Sequence, residues 1–234
     1  NESNVLPNNL SFIDEAGRIH NTPITTGGTV DIDIIEEYKK IPISSYHKYG
    51  SLNNYSRWRG TDVPYATLIS RRGCRAQCTF CSVRNFNGVG VRVRQTTSVI
   101  DEMVHLYEHY GIRHFDWLDD DLLYDRKAAL ELFSEIAERL PDITWAAGNG
   151  LIAAAVKPEL FEAMENSGCI GFPVGLEAGN PEILREIRKP ATIDSFLKFS
   201  ELTKKYPSIL YVVNFILGLP EEHVLEMRDS FAVA

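Results

Sequence analysis

The stretch Arg72-Gly73-Cys74-Arg75-Ala76-Gln77-Cys78-Thr79-Phe80-Cys81 places three cysteines within eight residues. Unliganded core cysteines have no physical reason to crowd in this way, whereas three thiolates at the spacing CxxxCxxC can ligate one metal centre. Iron–sulfur clusters and structural zinc sites usually take four protein ligands, so three cysteines leave one coordination position open. The motif favours a 4Fe-4S cluster held by Cys74, Cys78 and Cys81, with one iron free to bind a small molecule. A zinc site is the alternative, although no histidine lies nearby at zinc-finger spacing.

The composition is that of an ordinary globular chain. With 234 residues, 44% of them hydrophobic, the chain can bury one sizeable core, and two full domains are not expected. A net charge of −8 argues against a general nucleic-acid binder, which would need to neutralise phosphates. With three of the four cysteines in one motif there is no disulfide framework, so we expect a reducing, cytoplasmic compartment. The longest apolar run, 209–220, is too short to span a bilayer, and the N-terminus lacks a secretory signal.

A basic stretch surrounds the cysteines. Between Ser70 and Gln95 the chain has six arginines and no acidic residue. Two interpretations stay open: these arginines steer an anionic substrate or an acidic electron donor, or they form a solvated basic rim around an anionic cluster. The six residues are Arg71, Arg72, Arg75, Arg84, Arg92 and Arg94.

Strands and helices alternate from Val63 onward, whereas residues 1–62 are polar and lack periodicity and are predicted to form an extended linker. Strands are predicted at 65–70, 112–118, 143–147, 170–176 and 210–217, and helices at 98–110, 126–140, 158–166, 181–187, 193–205 and from near 221. This order predicts an α/β fold, a partial (β/α) barrel with a parallel sheet and right-handed crossovers. A sixth strand is expected after Ala234. Because the chain also begins with Asn1, we expect it to be a fragment of a longer protein.

Polar residues follow the predicted strands, where parallel β/α folds bind their ligands. Asp119, Asp120 and Asp121 follow the second strand, and carboxylates suit an ammonium ligand. The alternative for each aspartate is a solvated position beside a helix that is capped by Asp125. Asn149 follows the third strand, where it could contact a ribose or a substrate, and a turn residue is its alternative.

Glu177 follows the fourth strand, between small residues that leave room for a ligand. Its alternative is an ion pair with Arg185 or Arg188. Cys169 begins the same strand, so it should lie at the end of the barrel opposite the cysteine motif, as a buried core thiol.

The sequence CxxxCxFC after a strand, with Phe80 before the last cysteine, resembles the signature of the radical S-adenosylmethionine superfamily. The resemblance covers about 63–234 and implies a six-stranded partial barrel, here truncated before the sixth strand. It implies that the open iron binds the amino and carboxylate groups of S-adenosylmethionine, and that reductive cleavage gives a 5′-deoxyadenosyl radical that abstracts hydrogen from a substrate. It further implies that Asp119 and Asp120 belong to the loop that touches the methionyl amino group, and that Glu177 contacts the cofactor.

The fifth strand is similar to the family segment GxIxGxPxET, which packs on adenine and would place Ile216 against it. The chain departs from this pattern at Asn214, which replaces the first glycine, and at His223, which replaces the threonine. Adenine packing relies on apolar surface and backbone groups, so these two differences from the family pattern should affect it little. A helix-start position is the more ordinary role for His223.

The combined motifs are most similar to radical enzymes that carry an N-terminal cobalamin-binding domain, many of them methyltransferases or ring-forming enzymes. Residues 1–62 resemble their interdomain linker. No cobalamin-binding DxHxxG segment is present, so cobalamin is implied only through a domain outside this sequence. The reading also implies a small-molecule substrate and a reducing partner such as flavodoxin or ferredoxin. The alternatives are an RNA methylthiotransferase, which shares the core signature, and a non-enzymatic zinc or electron-transfer module.

Overall fold

The computed structural model describes residues 10–23, 34–49, 55 and 63–234. The strands within these residues are β1 (Ser11–Ile13), β2 (Ile19–Asn21), β3 (Tyr65–Leu68), β4 (Arg71–Arg72), β5 (Arg92–Val93), β6 (His114–Trp117), β7 (Thr144–Ala147), β8 (Cys169–Glu177) and β9 (Leu210–Phe215). The central feature is a parallel five-stranded sheet whose strands lie in the order β3-β6-β7-β8-β9. The other strands form two small antiparallel pairs, β1 with β2 and β4 with β5. All five predicted strands are present, and the partial barrel is confirmed.

The helices connect the parallel strands as predicted. Gly111 ends α3 in a left-handed conformation, with φ 67°. The Asp125 side chain caps α4 by accepting a hydrogen bond from Ala128 N. The helices are α1 (Ile43–Tyr46), α2 (Val83–Asn87), α3 (Thr96–Tyr110), α4 (Arg126–Arg139), α5 (Pro158–Asn166), α6 (Pro181–Glu186), α7 (Ile193–Thr203) and α8 (Val224–Val233), with short 3-10 turns at Ile35–Lys40, His47–Tyr49 and Ala153–Ala155. The sequence prediction missed α2 and the β4–β5 hairpin, which are too short for periodicity to show.

The core lies between the sheet and the helices outside it. Every residue of β6 is buried, as expected for a strand that is covered on both faces. Trp145 stacks on Phe133 of α4 with ring centroids 5.1 Å apart, and its edge meets Trp117 at 5.7 Å. These large contacts fix the helical layer against the central strands and so hold the carboxyl ends of those strands in place.

The described part of the N-terminal segment is folded and not extended, which corrects that part of the prediction. It holds the β1–β2 hairpin and α1. Tyr38 is buried and donates a hydrogen bond to Glu102 of α3 at 2.5 Å. Tyr55 is buried so close to Gly171 that a Cβ there would meet its ring. The rest of 1–62 lies outside the described residues, and its role as a linker stays a prediction.

Among the helices that the structure describes, none has both the length and the apolar composition that a membrane-spanning helix requires.

Candidate functional site

The three motif cysteines line one cavity of about 350 Å³ at the carboxyl ends of the parallel strands. We call it the cysteine cavity. Its lining also includes residues at or near the carboxyl ends of β7, β8 and β9, namely Gly150, Gly175, Glu177 and Asn214. Pockets of a few hundred Å³ are typical of small-molecule sites. The prediction that polar strand ends and cysteines share one site therefore agrees with this geometry.

The thiols are accessible from the cavity. Cys74 and Cys78 are half-buried and Cys81 is exposed. Burial raises the pKa of Cys74 and of Cys78, while the nearby Lys189 ammonium lowers the pKa of Cys78. Within the described ranges, no group of three or more His, Cys, Asp or Glu side chains is gathered to hold a single metal ion. Three thiols around one cavity beside a lysine are nevertheless a donor set suited to an anionic iron–sulfur cluster.

The run of three aspartates after β6 anchors the loop that carries the cysteines. Asp119 accepts hydrogen bonds from Ser70 N, at 2.6 Å, and from Ser70 Oγ, and lies 3.7 Å from Arg71. It is 3% exposed and lies outside the set of described residues that line the cysteine cavity. Burial raises its pKa to about 6, although the Ser70 hydrogen bonds and Arg71 act in the opposite direction. The Asp119 carboxylate is thus engaged within the protein, and its contact with a cofactor stays a prediction.

The next two aspartates hold the cysteine motif itself. Asp120 Oδ2 accepts hydrogen bonds from Gly73 N at 2.7 Å and from Asn87 Nδ2 at 2.6 Å, and Asp120 also lines the cysteine cavity. Asp121 forms a bidentate ion pair with Arg75, with Nε–Oδ2 at 2.7 Å and Nη2–Oδ1 at 2.9 Å. Of the two predicted cofactor contacts in this run, Asp120 is the one that the structure places at the cavity.

Glu177 forms an ion pair with Lys189, and both side chains line the cysteine cavity. The Oε1–Nζ distance is 2.7 Å, with the two side chains 11% and 13% exposed respectively. The predicted alternative, an ion pair with Arg185 or Arg188, therefore has the wrong partner. The chain brings Lys189 here because α6 ends beside the cysteine loop, where Ile187 O accepts a hydrogen bond from Thr79 N at 3.0 Å.

The backbone at Glu177 is unusual. Its φ is 75°, a conformation that non-glycine residues rarely adopt and that often marks functional positions. Its carbonyl oxygen accepts a hydrogen bond from Ile216 N at 2.9 Å, which ties the end of β8 to the end of β9. The carboxylate is therefore held in place from both its backbone and its side chain.

The other predicted contacts divide into two groups. Phe80 and Asn149 line the cysteine cavity, and Asn149 Nδ2 also donates to Leu118 O at 2.7 Å, which fits its alternative as a turn residue. Ile216 is partly buried against the core and lies outside the described cavity lining, where Asn214 is found instead. The adenine contact of Ile216 stays a prediction. His223 occupies the N-cap position of α8, as its ordinary role predicts.

Three arginines of the basic stretch are paired with carboxylates from other parts of the chain. The ion pairs are Arg71–Asp119, Arg75–Asp121 and Arg94–Glu102. Neither sequence interpretation predicted this, because the acidic partners lie outside the stretch. Both interpretations of the basic stretch stay predictions, and among the arginines without such an ion pair Arg72 is exposed.

Cys169 lies where the strand order predicts, at the start of β8 and away from the cysteine cavity. It is buried, and burial raises the pKa of its thiol. It is therefore positioned as a core residue and not as a fourth cluster ligand.

Comparisons with known proteins relate the chain to one family. A model of the Radical SAM superfamily matches residues 68–233. Cytidylyl-2-hydroxyethylphosphonate methyltransferase of Streptomyces wedmorensis is 30% identical over 227 residues, 91% of this chain and 41% of that protein. An uncharacterized methyltransferase of Pyrococcus horikoshii is 28% identical over 94% of this chain and 45% of that protein. The chain thus spans less than half the length of these relatives.

A solved structure shows the same fold. The radical S-adenosylmethionine methyltransferase TsrM from Kitasatospora setae, with tryptophan substrate and an S-adenosylmethionine analogue bound, superposes with a TM-score of 0.70 at 19% identity. The superposition covers 96% of this chain and 43% of TsrM.

Proposed function

Because the chain belongs to the radical S-adenosylmethionine superfamily, we propose that it forms the catalytic core of a cobalamin-dependent methyltransferase or cyclase that acts on a small molecule. The observation that carries the proposal is one cavity lined by three cysteine thiols and by the Glu177–Lys189 pair. The cysteines suit a 4Fe-4S cluster, and the ion pair suits a ligand with both ammonium and carboxylate groups. The two sequence relatives described above are both named as methyltransferases, which supports methyl transfer.

The protein residues have distinct roles in this proposal. Cys74, Cys78 and Cys81 would hold the cluster, which when bound supplies the electron for reductive cleavage of S-adenosylmethionine. Glu177 accepts hydrogen bonds from the amino or ribose groups of that ligand, and Lys189 offers a positive charge to its carboxylate. Phe80, which is 43% exposed, covers one side of the cysteine cavity and limits the access of water.

The Glu177→Gln variant should bind S-adenosylmethionine about tenfold to a hundredfold more weakly, while its iron content stays unchanged. A hydrogen bond to a charged group is worth roughly 1.5–3 kcal/mol, and the residue acts on the ligand and not on the iron. Calorimetry on the reconstituted protein measures the affinity. Glu182→Gln is the matched control, because Glu182 is exposed on α6 and lies outside the described cavity lining. Unchanged affinity in Glu177→Gln would leave Glu177 only as a structural partner of Lys189.

Cobalamin dependence is proposed for the whole protein, since this chain spans less than half of its relatives. The test uses the full-length protein, purified without oxygen and supplied with hydroxocobalamin. We expect tightly bound cobalamin in its absorption spectrum, and 5′-deoxyadenosine after reduction with dithionite in the presence of S-adenosylmethionine. Cleavage without bound cobalamin would contradict cobalamin dependence alone. Absence of cleavage by an iron-loaded protein would contradict the radical function itself.

The reducing partner in this proposal is a small acidic electron carrier, such as a flavodoxin or a ferredoxin. An RNA methylthiotransferase is less well supported, because the chain carries a net charge of −8 and three of six arginines around the cysteines are already paired. A zinc module is distinguished by colour: an anaerobically purified brown protein with broad absorbance contains iron and not zinc.

A further inference from the structure

A second cavity of about 270 Å³ lies beside the cysteine cavity. We call it the arginine cavity. Ile69 and Leu118, the residues that follow β3 and β6, form part of its wall, so it lies at the carboxyl ends of these strands. Val83, Asp120 and Asn149 line both cavities. A molecule in the arginine cavity would therefore lie next to a molecule in the cysteine cavity.

The charge in the arginine cavity is positive. Arg71 and Arg72 both line it, and its only acidic lining residue within the described ranges is Asp120. Asp120 already accepts two hydrogen bonds, from Gly73 N and Asn87 Nδ2. Arg72 is exposed and forms no ion pair with any residue that the structure describes. Asp119, outside the described cavity lining, lies 3.7 Å from Arg71, so Arg72 carries the charge that is not balanced, and an anionic ligand would balance it.

Arg71 supplies a second, independent observation. Its side chain is only 2% exposed, and Nη1 donates to Ser70 Oγ at 2.8 Å. Its Nε is buried and finds no hydrogen-bond acceptor among the described residues. Buried polar groups are nearly always paired, so an unpaired nitrogen in a side chain that belongs to the cavity lining favours a ligand that supplies an acceptor.

The arginine cavity also has an apolar side. Ile69, Leu118, Val83 and Phe86 contribute to its lining, and the Phe86 side chain is 86% exposed. An aromatic side chain that remains exposed beside a concave site offers contact area to a ligand. The cavity therefore suits a molecule that has both an anionic group and an apolar part.

We propose that the arginine cavity binds the substrate of the radical reaction, through a phosphonate or carboxylate group held by Arg71 and Arg72 and an apolar part against Phe86. The role of the bound molecule as the substrate of a radical reaction rests on the proposed function, whereas the binding of an anion in this cavity does not. The shared wall of Asp120 and Asn149 brings the bound substrate next to the site of S-adenosylmethionine cleavage, as hydrogen abstraction requires.

The test measures binding of phenylphosphonate, benzoate and benzyl alcohol to the full-length, cluster-reconstituted protein by calorimetry. We expect at least one of the two anions to bind more tightly than benzyl alcohol, and which anion does so identifies the preferred group. Arg72→Gln should weaken anion binding at least tenfold, because one charged contact is lost. Arg139→Gln, an exposed arginine at the far end of α4, should bind the anions like the wild type.

Two further measurements make the outcome decisive. Phe86→Ser, at an exposed position, should weaken phenylphosphonate binding but not methylphosphonate binding. Formation of 5′-deoxyadenosine without substrate should be the same in the control Arg139→Gln as in the wild type. Equal binding of benzyl alcohol and the anions, or unchanged anion binding in Arg72→Gln, would overturn the proposed subsite. Such a result would leave the proposed function intact if the wild type still cleaves S-adenosylmethionine.

Discussion

Replacing any one of Cys74, Cys78 and Cys81 by alanine should abolish cluster binding and, with it, cleavage of S-adenosylmethionine. Each thiol lines the same cavity, and two thiolates cannot hold a cubane that already has one open iron. The expected result is loss of nearly all bound iron and sulfide, measured on protein that is purified and reconstituted without oxygen. The secondary structure should be retained, because none of the three cysteines is buried in the hydrophobic core.

Cys169→Ala is the matched control for these variants. Cys169 is a core thiol at the start of β8, so its replacement leaves a small cavity and should not affect iron content. The electron paramagnetic resonance spectrum of this variant, once reduced, should still change when S-adenosylmethionine is added. Iron loss in Cys169→Ala, together with a spectrum that does not change when S-adenosylmethionine is added, would indicate that all four cysteines ligate the cluster. Iron near the wild-type level in any of the three motif variants would contradict the assignment.

Gly73→Ala should be the most damaging substitution that leaves every cysteine in place. Gly73 has φ +92°, and a Cβ at this position would lie 2.2 Å from the backbone oxygen of Gly90. Left-handed strain costs about 1–2 kcal/mol and overpacking about 1–3 kcal/mol, so we expect a loss of about 2–5 kcal/mol in the free energy of unfolding. The shift of the loop should also break the Gly73–Asp120 hydrogen bond and lower cluster occupancy.

Gly111→Ala separates the cost of left-handed backbone strain from the cost of overpacking. Gly111 also has a positive φ, +67°, but a Cβ there would meet nothing within 4 Å. This variant should lose only about 1–2 kcal/mol and keep full iron content. Urea unfolding and iron analysis of both variants give the comparison. Equal losses of stability would show that the close approach to Gly90 is relieved by a small backbone movement.

The fold could be predicted from the sequence because its signals are local. Apolar residues at helical spacing, the αL glycine at Gly111 and the cap at Asp125 act within a few residues of one another, and each element formed where these signals lie. The alternation of strands and helices then allows few topologies for a parallel sheet. The elements that escaped prediction, such as Val83–Asn87, span too few residues for a repeating apolar pattern to show.

The sequence by itself determined the three cysteines as one site and placed Glu177 at the end of a strand beside them. Only the tertiary structure decided which partners the other charged side chains have. Asp119 and Ser70 are 49 positions apart, yet their hydrogen bonds form because β3 and β6 are neighbours in the sheet. Lys189 reaches Glu177 because α6 ends at the cysteine loop. Charge pairing is long-range and non-periodic, so the sequence pattern could not show that the Asp119 carboxylate accepts hydrogen bonds from Ser70, just before the cysteine motif.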